Sequence, residues 1–332
     1  MELETIGKLF ESRGLGKVVS PFSPVSGGFM HRIFRVETAR GTYAVKHLNP
    51  EIMKRPEAME NYRRAEKLEK ILENAGIPIV PAIAFSGRKM QEMDGEYFYI
   101  FRWHAGRVTD WRSITAEQCA LAGNILGRIH AVLPGRRTGM KPHLSRIDWT
   151  SLAALAEKQG STIAPLLKEN TCLLRYAQNA VNKARLALPD IECITDEDMD
   201  PKNVMWEDGK PVVIDLECLD YGNPVSGVLQ LSLQWSGLTT CSLDPDKQKA
   251  FFDGYLEVYD NGFRDYGSVF GLSYTWIEWL EFNIRRALGQ CRDETEQETG
   301  INEVRSTLKR IRCLRENEDM ILCLLTRGIF PG

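Results

Sequence analysis

Two textures divide the chain. Over the first hundred residues the apolar positions come in short runs rich in aromatic and β-branched side chains, Phe34 to Val36 and Tyr43 to Leu48. The turn-like stretch Thr38-Ala39-Arg40-Gly41-Thr42 lies between them. Runs of this kind bounded by turn residues predict strands. Pro81 to Phe85 and Tyr97 to Trp103 predict two more, the second entered through the tight turn Asp94-Gly95. One helix interrupts them. Residues 56–75 are highly charged, carry Leu68, Ile71 and Leu72 on one face, and stop at Gly76 and Pro78.

From residue 113 the texture is helical. Thr115 and Gln118 have capping-box spacing, and Leu121, Ile125, Ile129 and Val132 recur behind them every three or four residues. Residues 152–187 read as helix. Residues 203–216 break the pattern with two short apolar strands, Asn203 to Trp206 and Val212 to Leu216, joined by Glu207-Asp208-Gly209-Lys210. Helices resume after them, one capped by Asp244 with Pro245 in its first turn, another over roughly 273–288. The expected fold class is α+β: a β-rich N-terminal lobe, residues 1–102, and a mostly α-helical C-terminal lobe, residues 103–332, with the join near 102–106.

Composition agrees with that division. A chain of 332 residues suits two lobes, and 43% hydrophobic residues can fill full-sized cores. A net charge of −3 gives no reason to expect nucleic acid or an anionic membrane as the main partner. No apolar run approaches the roughly 18 residues that span a bilayer. Met1-Glu2-Leu3-Glu4-Thr5 lacks a secretory pattern, so a cytoplasmic location is expected. The eight cysteines, Cys119, Cys172, Cys193, Cys218, Cys241, Cys291, Cys313 and Cys323, form no C-x-x-C pair. They are expected as buried free thiols in a reducing compartment. The five histidines make no ligand pair at helical spacing, and His130, on the apolar face of its helix, reads as a core residue.

The chemistry is concentrated in Asp196-Glu197-Asp198-Met199-Asp200-Pro201-Lys202-Asn203 and Val212-Val213-Ile214-Asp215-Leu216-Glu217. Asp198 and Asn203 have the D-x-x-x-x-N spacing of a kinase catalytic loop, and Asp215 ends a short apolar strand, where kinases place a metal-binding carboxylate. Phosphoryl transfer needs these residue types. One carboxylate, Asp198, takes the acceptor hydroxyl's proton. Mg²⁺ keeps several waters, so one amide oxygen and one carboxylate, Asn203 and Asp215, suffice from the protein. A plainer alternative, in which Asp198 and Asp200 cap a turn and Asp208-Gly209 makes an ordinary hairpin, explains Asp208-Gly209 but not Asp198, Asn203 and Asp215 together, three polar residues flanking apolar strands at this spacing.

The segment resembles the aminoglycoside phosphotransferase and choline kinase family, small-molecule kinases with a protein-kinase-like bilobal fold. That family reads H-x-D-x-x-x-x-N, an apolar strand ending I-D-W/L-E, then G-x-P. Here the stretches are D-E-D-M-D-P-K-N, V-V-I-D-L-E and Gly222-Asn223-Pro224. Val25-Ser26-Gly27-Gly28-Phe29 resembles the phosphate-covering hairpin, Tyr43-Ala44-Val45-Lys46 the strand bearing the nucleotide lysine, and Leu126-Gly127-Arg128-Ile129-His130 the helix before the catalytic loop. The resemblance implies ATP or GTP as co-substrate with Mg²⁺. Ser26, Gly27 and Gly28 would lie near the phosphates. Lys46 would contact the α- and β-phosphates and pair with Glu66, or else Glu69, of the 56–75 helix. Phe101 to His104, with Phe101 and Trp103, would form the hinge at the base. One departure stands out: the family's loop histidine is Asp196, a like charge beside Asp198 and Asp215.

Residues 196–220 hold nine Asp or Glu against two Lys, which suits a cationic acceptor. The stretch Tyr274 to Asn283 mixes aromatics with acids. It either holds an amine or packs Trp276, Leu280 and Phe282 into the core with Glu278 in water. The expected activity is transfer of a γ-phosphate to a hydroxyl of a small amine-bearing molecule. A kinase-shaped binding or regulatory protein with little turnover is the alternative that Asp196 keeps open. A protein kinase is disfavoured, because no A-P-E-like segment follows Asp215 and D-L-E lacks the glycine of D-F-G.

Overall fold

A computed structural model describes residues 2–25, 31–291 and 293–329. The chain forms two units, Met1–Thr109 with Pro201–Asp220, and Asp110–Asp200 with Tyr221–Gly332.

In the first unit α1 (Glu2–Ser12) precedes β1 (Ser23–Val25), β2 (Arg32–Thr38), β3 (Gly41–His47), the single turn α2 (Pro50–Met53), α3 (Ala58–Asn74), β4 (Gln91–Met93), β5 (Glu96–Arg102) and β6 (Arg107–Val108). The first five strands form an antiparallel sheet in the order β1-β2-β3-β5-β4. Side chains alternate across it. Val45, Phe98 and Ile100 join Ile6, Leu9 and Phe10 of α1 in one apolar cluster. Tyr99 joins Ala58 and Tyr62 of α3 in another. Lys46 is directly opposite Tyr99 in the register, so the pleat sends it to the α3 face. In α3 the buried positions Tyr62, Ala65, Leu68, Glu69 and Leu72 follow the helical repeat.

Pro81 to Ala84 form no strand, contrary to the sequence reading. Proline has no N–H for a ladder, and Ile83 alone bonds to the sheet, its N–H donating to Ile100 O at 2.7 Å.

The second unit begins with α4 (Ala116–Ala131), α5 (Trp149–Lys158), α6 (Ala164–Ala187) and β7 (Cys193–Asp196). Both bonds of the Thr115–Gln118 capping box are made. The helix expected over 152–187 is two helices. Gly160, at φ +62°, separates them. The chain then makes the hairpin β8 (Val204–Glu207) and β9 (Lys210–Val213), which belongs to the first unit. There Arg107 pairs with Trp206 and Val108 with Met205. That pairing carries the first unit to Thr109 instead of 102, and brings into it a segment the sequence assigned to the second lobe.

After β10 (Leu219–Gly222) come α7 (Pro224–Trp235), α8 (Pro245–Leu256), α9 (Trp276–Ala287) and α10 (Glu294–Glu316). Asp244 caps α8 through the Asp246 and Lys247 amides. A 3₁₀ stretch, Tyr266–Thr275, takes the first turn of the helix expected from 273. Helices α4 and α8 touch backbone to backbone. A Cβ on Gly123 would fall 2.0 Å from Phe251 O, and one on Gly254 2.0 Å from Ala120 O. Among the described residues no helix is long and apolar enough to cross a membrane.

The cysteines depart from expectation. Cys241 and Cys313 are disulfide-bonded, with Cα atoms 5.7 Å apart, inside the span such a bond requires. Cys119 and Cys193 are buried free thiols, each pushed up to about 12 by burial. Cys172, Cys218 and Cys323 are exposed.

Candidate active site

In the first unit the site is built around Lys46. Its Nζ lies 2.6 Å from Asp215 Oδ1 and 2.8 Å from Glu217 Oε1, and the residue is 4% exposed. Burial alone would lower the lysine's pKa. The carboxylates of Glu217 and Asp215 reverse that effect and hold the ammonium above its ordinary range. Burial likewise works to raise the Glu217 carboxyl, but Lys46 and His31 hold it below the usual carboxylate range. His31 reads as the Nε2-protonated tautomer, because the Asn49 N–H donates to its Nδ1 at 3.0 Å. Its Nε2 faces Glu217 Oε2 at 3.3 Å and the Tyr62 hydroxyl at 3.4 Å. Lys46 is thus one cation facing two carboxylates.

The hairpin delivers Asp215. Asp208 and Gly209, at φ +51° and +74°, make its two-residue turn. Glu207 then pairs with Lys210 and Val204 with Val213. The Ile214 N–H donates to Asn203 O at 2.9 Å, which brings the two ends of the motif side by side. Asp215 is left-handed, φ +61° and ψ +57°, at a cost of about 1 kcal/mol for an L-residue. That bend ends the strand and starts the 3₁₀ turn Leu216–Cys218, so Asp215 and Glu217 both meet Lys46.

Hard oxygen donors suit Mg²⁺. Asn203 and Asp215 supply them, and Asp215 gives Lys46 only Oδ1; its second oxygen makes no hydrogen bond among the described residues. The donor set fits a divalent cation.

Lys46 does not pair with the 56–75 helix. Glu66 accepts the Met90 N–H and the Tyr99 hydroxyl, each at 2.9 Å. Glu69 accepts the Ala82 N–H at 2.7 Å and pairs with Lys89 at 2.8 Å. Both helix acids have nearer donors on the same sheet face, and the lysine's charge is met by the I-D-L-E acids instead. Sequence reasoning thus missed Glu217 and His31 as members of the cluster. Glu217 could have been found as the acid two residues after Asp215; nothing in the sequence marks His31.

At the expected hinge, Phe101 lies opposite Ala44 in the sheet, and the Trp103 N–H donates to Thr42 O at 3.0 Å. The Arg35 guanidinium lies over the Trp103 ring at 5.0 Å. Ser26, Gly27 and Gly28 lie outside the described residues.

In the second unit Asp198 sits on the loop after β7. The buried Asp196 accepts the Asp198 N–H on Oδ1 at 3.2 Å, and the Asp198 carbonyl accepts the Asp200 N–H at 2.7 Å. Behind the loop, Trp235 Nε1–H donates to Met199 O at 2.9 Å. His130, fully buried, bonds Thr195 Oγ1 at 3.1 Å and the Tyr255 hydroxyl at 2.9 Å. Burial pushes its pKa down to about 3, so it stays neutral. It is the core residue its helix position implied, one that props the strand leading to Asp198.

A model of the phosphotransferase enzyme family (APH) matches residues 21–268. The chain belongs to that family. It is therefore a small-molecule phosphotransferase with hydroxyl groups as acceptors. A search of curated proteins found no match. Many solved structures share the fold, three of them as follows. A spectinomycin phosphotransferase bound to ADP and spectinomycin is 13% identical, with TM-score 0.68 over 95% of this chain and 98% of that one. A microcompartment-associated aminopropanol kinase is 14% identical, with TM-score 0.61 over 96% and 99%. An amicoumacin kinase in complex with AMP-PNP, Ca²⁺ and Ami is 10% identical, with TM-score 0.59 over 91% and 93%.

Helix α9 of this phosphotransferase fits neither reading of its mixed sequence in full. Ile277, Leu280 and Ile284 are buried, whereas Phe282 is exposed and stacks on Trp279 at 5.5 Å. Trp276 carries the Arg310 guanidinium at 4.7 Å. Glu278 is bound by Arg185 at 2.8 and 3.0 Å and by Ser145 Oγ at 2.5 Å, so its charge is already matched within the unit.

Proposed function

We propose that this phosphotransferase transfers the γ-phosphoryl group of ATP or GTP, with Mg²⁺, to a hydroxyl of a small amine-bearing acceptor in the cytoplasm, an aminoglycoside-like sugar or an amino alcohol. The observation that carries the reading is the buried Lys46–Asp215–Glu217 cluster, a cation and two acids gathered from segments far apart in the chain. In this reading Lys46 binds the α- and β-phosphates, and Ser26, Gly27 and Gly28 cover them. The Phe101 to Trp103 backbone meets the base. Asn203 and Asp215 hold Mg²⁺. When bound, the metal neutralises phosphate charge and orients the triphosphate. Asp198 accepts the acceptor's proton, on a loop whose shape Asp196 holds through the Asp198 amide.

Two observations support an amine. The acidic excess over residues 196–220 would attract a cation. Fold relatives include an aminopropanol kinase and a spectinomycin phosphotransferase. The test is a panel of amine-bearing hydroxyl compounds assayed with ATP and with GTP, with Asp198→Asn as control. Phosphorylated product from at least one amine, absent in the control, is expected. Nucleotide binding with no product from any acceptor would replace this reading with a binding or regulatory role.

A further inference from the structure

Helix α3 also walls a cavity of about 730 Å³, within the volume range of small-molecule sites, together with the loop from Val80 to Lys89 and Arg102 of β5. Five cations line it, Arg63, Lys67, Lys70, Lys89 and Arg102, against two acids, Glu66 and Glu73. The acids are committed. Glu66 holds Met90 and Tyr99, and Glu73 pairs with Lys70 at 3.0 Å. Among the described residues the side chains of Arg63, Lys67 and Arg102 make no ion pair or hydrogen bond. Lys89 is buried, 7% exposed, a cation held inside the wall by Glu69. Val80 to Ala84 add an apolar side.

The same loop is tied to the catalytic hairpin. The Val80 N–H donates to Val213 O at 2.9 Å, and the Val213 N–H to Pro78 O at 2.8 Å. Two residues on from Val213 is Asp215. On its other side the loop is tied to α3, because Glu69 takes the Ala82 N–H.

We propose that this cavity binds a small phosphate-bearing organic anion, and that its occupancy is transmitted through residues 78–82 to Asp215. Arg63, Lys67 and Arg102 have unmatched charge for phosphate oxygens, and arginine forks match them in pairs. An anion that also drew Lys89 away from Glu69 would loosen the Glu69–Ala82 tie and shift the loop against β9. A nucleotide diphosphate and a phosphorylated product share this chemistry. Pyrophosphate and glycerol 3-phosphate represent them as probes.

The experiment is lysine acetylation read by mass spectrometry, without metal, on the whole protein. Each probe that fits should slow modification of Lys67 and Lys70 several-fold and leave the exposed Lys8 unchanged. Protection by pyrophosphate alone assigns a diphosphate, and protection by glycerol 3-phosphate a monoester. In Arg63→Ala/Arg102→Ala, where both exposed arginines are removed, half-protection should need at least about tenfold more probe. Alkylation of the exposed Cys218, next to Glu217, reports the hairpin. Its rate should change with probe in the wild type and not in the double variant. Equal slowing of Lys8 and Lys67, or protection that survives the double variant, overturns the site. Protection with no change at Cys218 overturns the coupling.

Discussion

The two regions that carry the acids of the motif are held in different ways. In the first unit Lys46, Asp215 and Glu217 are buried charges that stabilise one another. In the second, the contacts that hold the Asp198 loop include His130 to Thr195 and Tyr255, Trp235 to Met199, and the Asp198 amide to Asp196. Charge is assembled where a triphosphate and a metal are proposed to bind, and shape where a proton is proposed to be taken. Removing a member of the first group should therefore cost stability as well as binding, whereas replacing Asp198 should cost rate alone.

The largest expected effect follows directly. Asp198→Asn should lower transfer by about 10²–10⁴-fold, the range of general-base effects, with nucleotide affinity and urea midpoint unchanged. A variant that transfers normally would show that the loop's shape, and not this carboxylate, matters. Next is Lys46→Met, which leaves two carboxylates without their cation. It should lower unfolding free energy by about 3–5 kcal/mol in urea titrations and weaken nucleotide binding roughly tenfold or more. Unchanged stability would mean that the charged cluster is not the structural centre of its unit.

His130 gives a contrast in pH. Its unfolded imidazole takes a proton near 6.5 and the folded one only near about 3. Stability from its neutral form is thus complete above pH 6.5 and is lost as pH falls toward 3, by about 1.4 kcal/mol per unit for one proton. His130→Gln should flatten the slope of stability between pH 6 and 4 by that one proton, and an identical slope would rule the residue out as its source. Asp196→Asn keeps an acceptor for the Asp198 amide, so its transfer rate should stay within about tenfold of wild type. A collapse matching Asp198→Asn would make Asp196 a chemical participant. Smallest of all, Glu66→Gln keeps an acceptor for Met90 and Tyr99 and should shift nucleotide affinity by less than about 1 kcal/mol. A tenfold loss would restore the pairing with Lys46 that the sequence suggested.

What could be read from the sequence depended on range. The capping box at Thr115, the cap at Asp244 and the hairpin turn at Asp208-Gly209 are decided by residues within a few positions, and they form as read. So does the overall order of a β-rich part before a helical one. The ion-pair partner of Lys46 was misread because two acids with helical spacing looked available, while the real partners are 169 and 171 residues away. Pro81 to Ala84 had strand-like composition but no neighbouring ladder to join, and the Cys241–Cys313 bond joins positions 72 residues apart that no spacing rule connects. His31 had no motif around it at all. The proposed roles of Asn203, Asp215 and Asp198 rested on one local spacing; the hairpin register sets Ile214 against Asn203 and so places Asn203 beside the strand that ends at Asp215.

The return of residues 201–220 to the first unit has a consequence for how the chain is made. On the ribosome the sheet emerges early, but β6 has no partner until Met205 and Trp206 follow it, about a hundred residues later. Lys46 waits longer still, for Glu217. Until then the amine has no carboxylate to accompany it out of water, and leaving it solvated is cheaper than burying it alone. The five strands of the larger sheet are thus all present by residue 102, but the unit they belong to is completed only when residues 201–220 have emerged. A nascent chain halted before residue 217 would carry an open sheet face, which pulse proteolysis of stalled chains of increasing length would detect as protection arriving only after that residue has emerged.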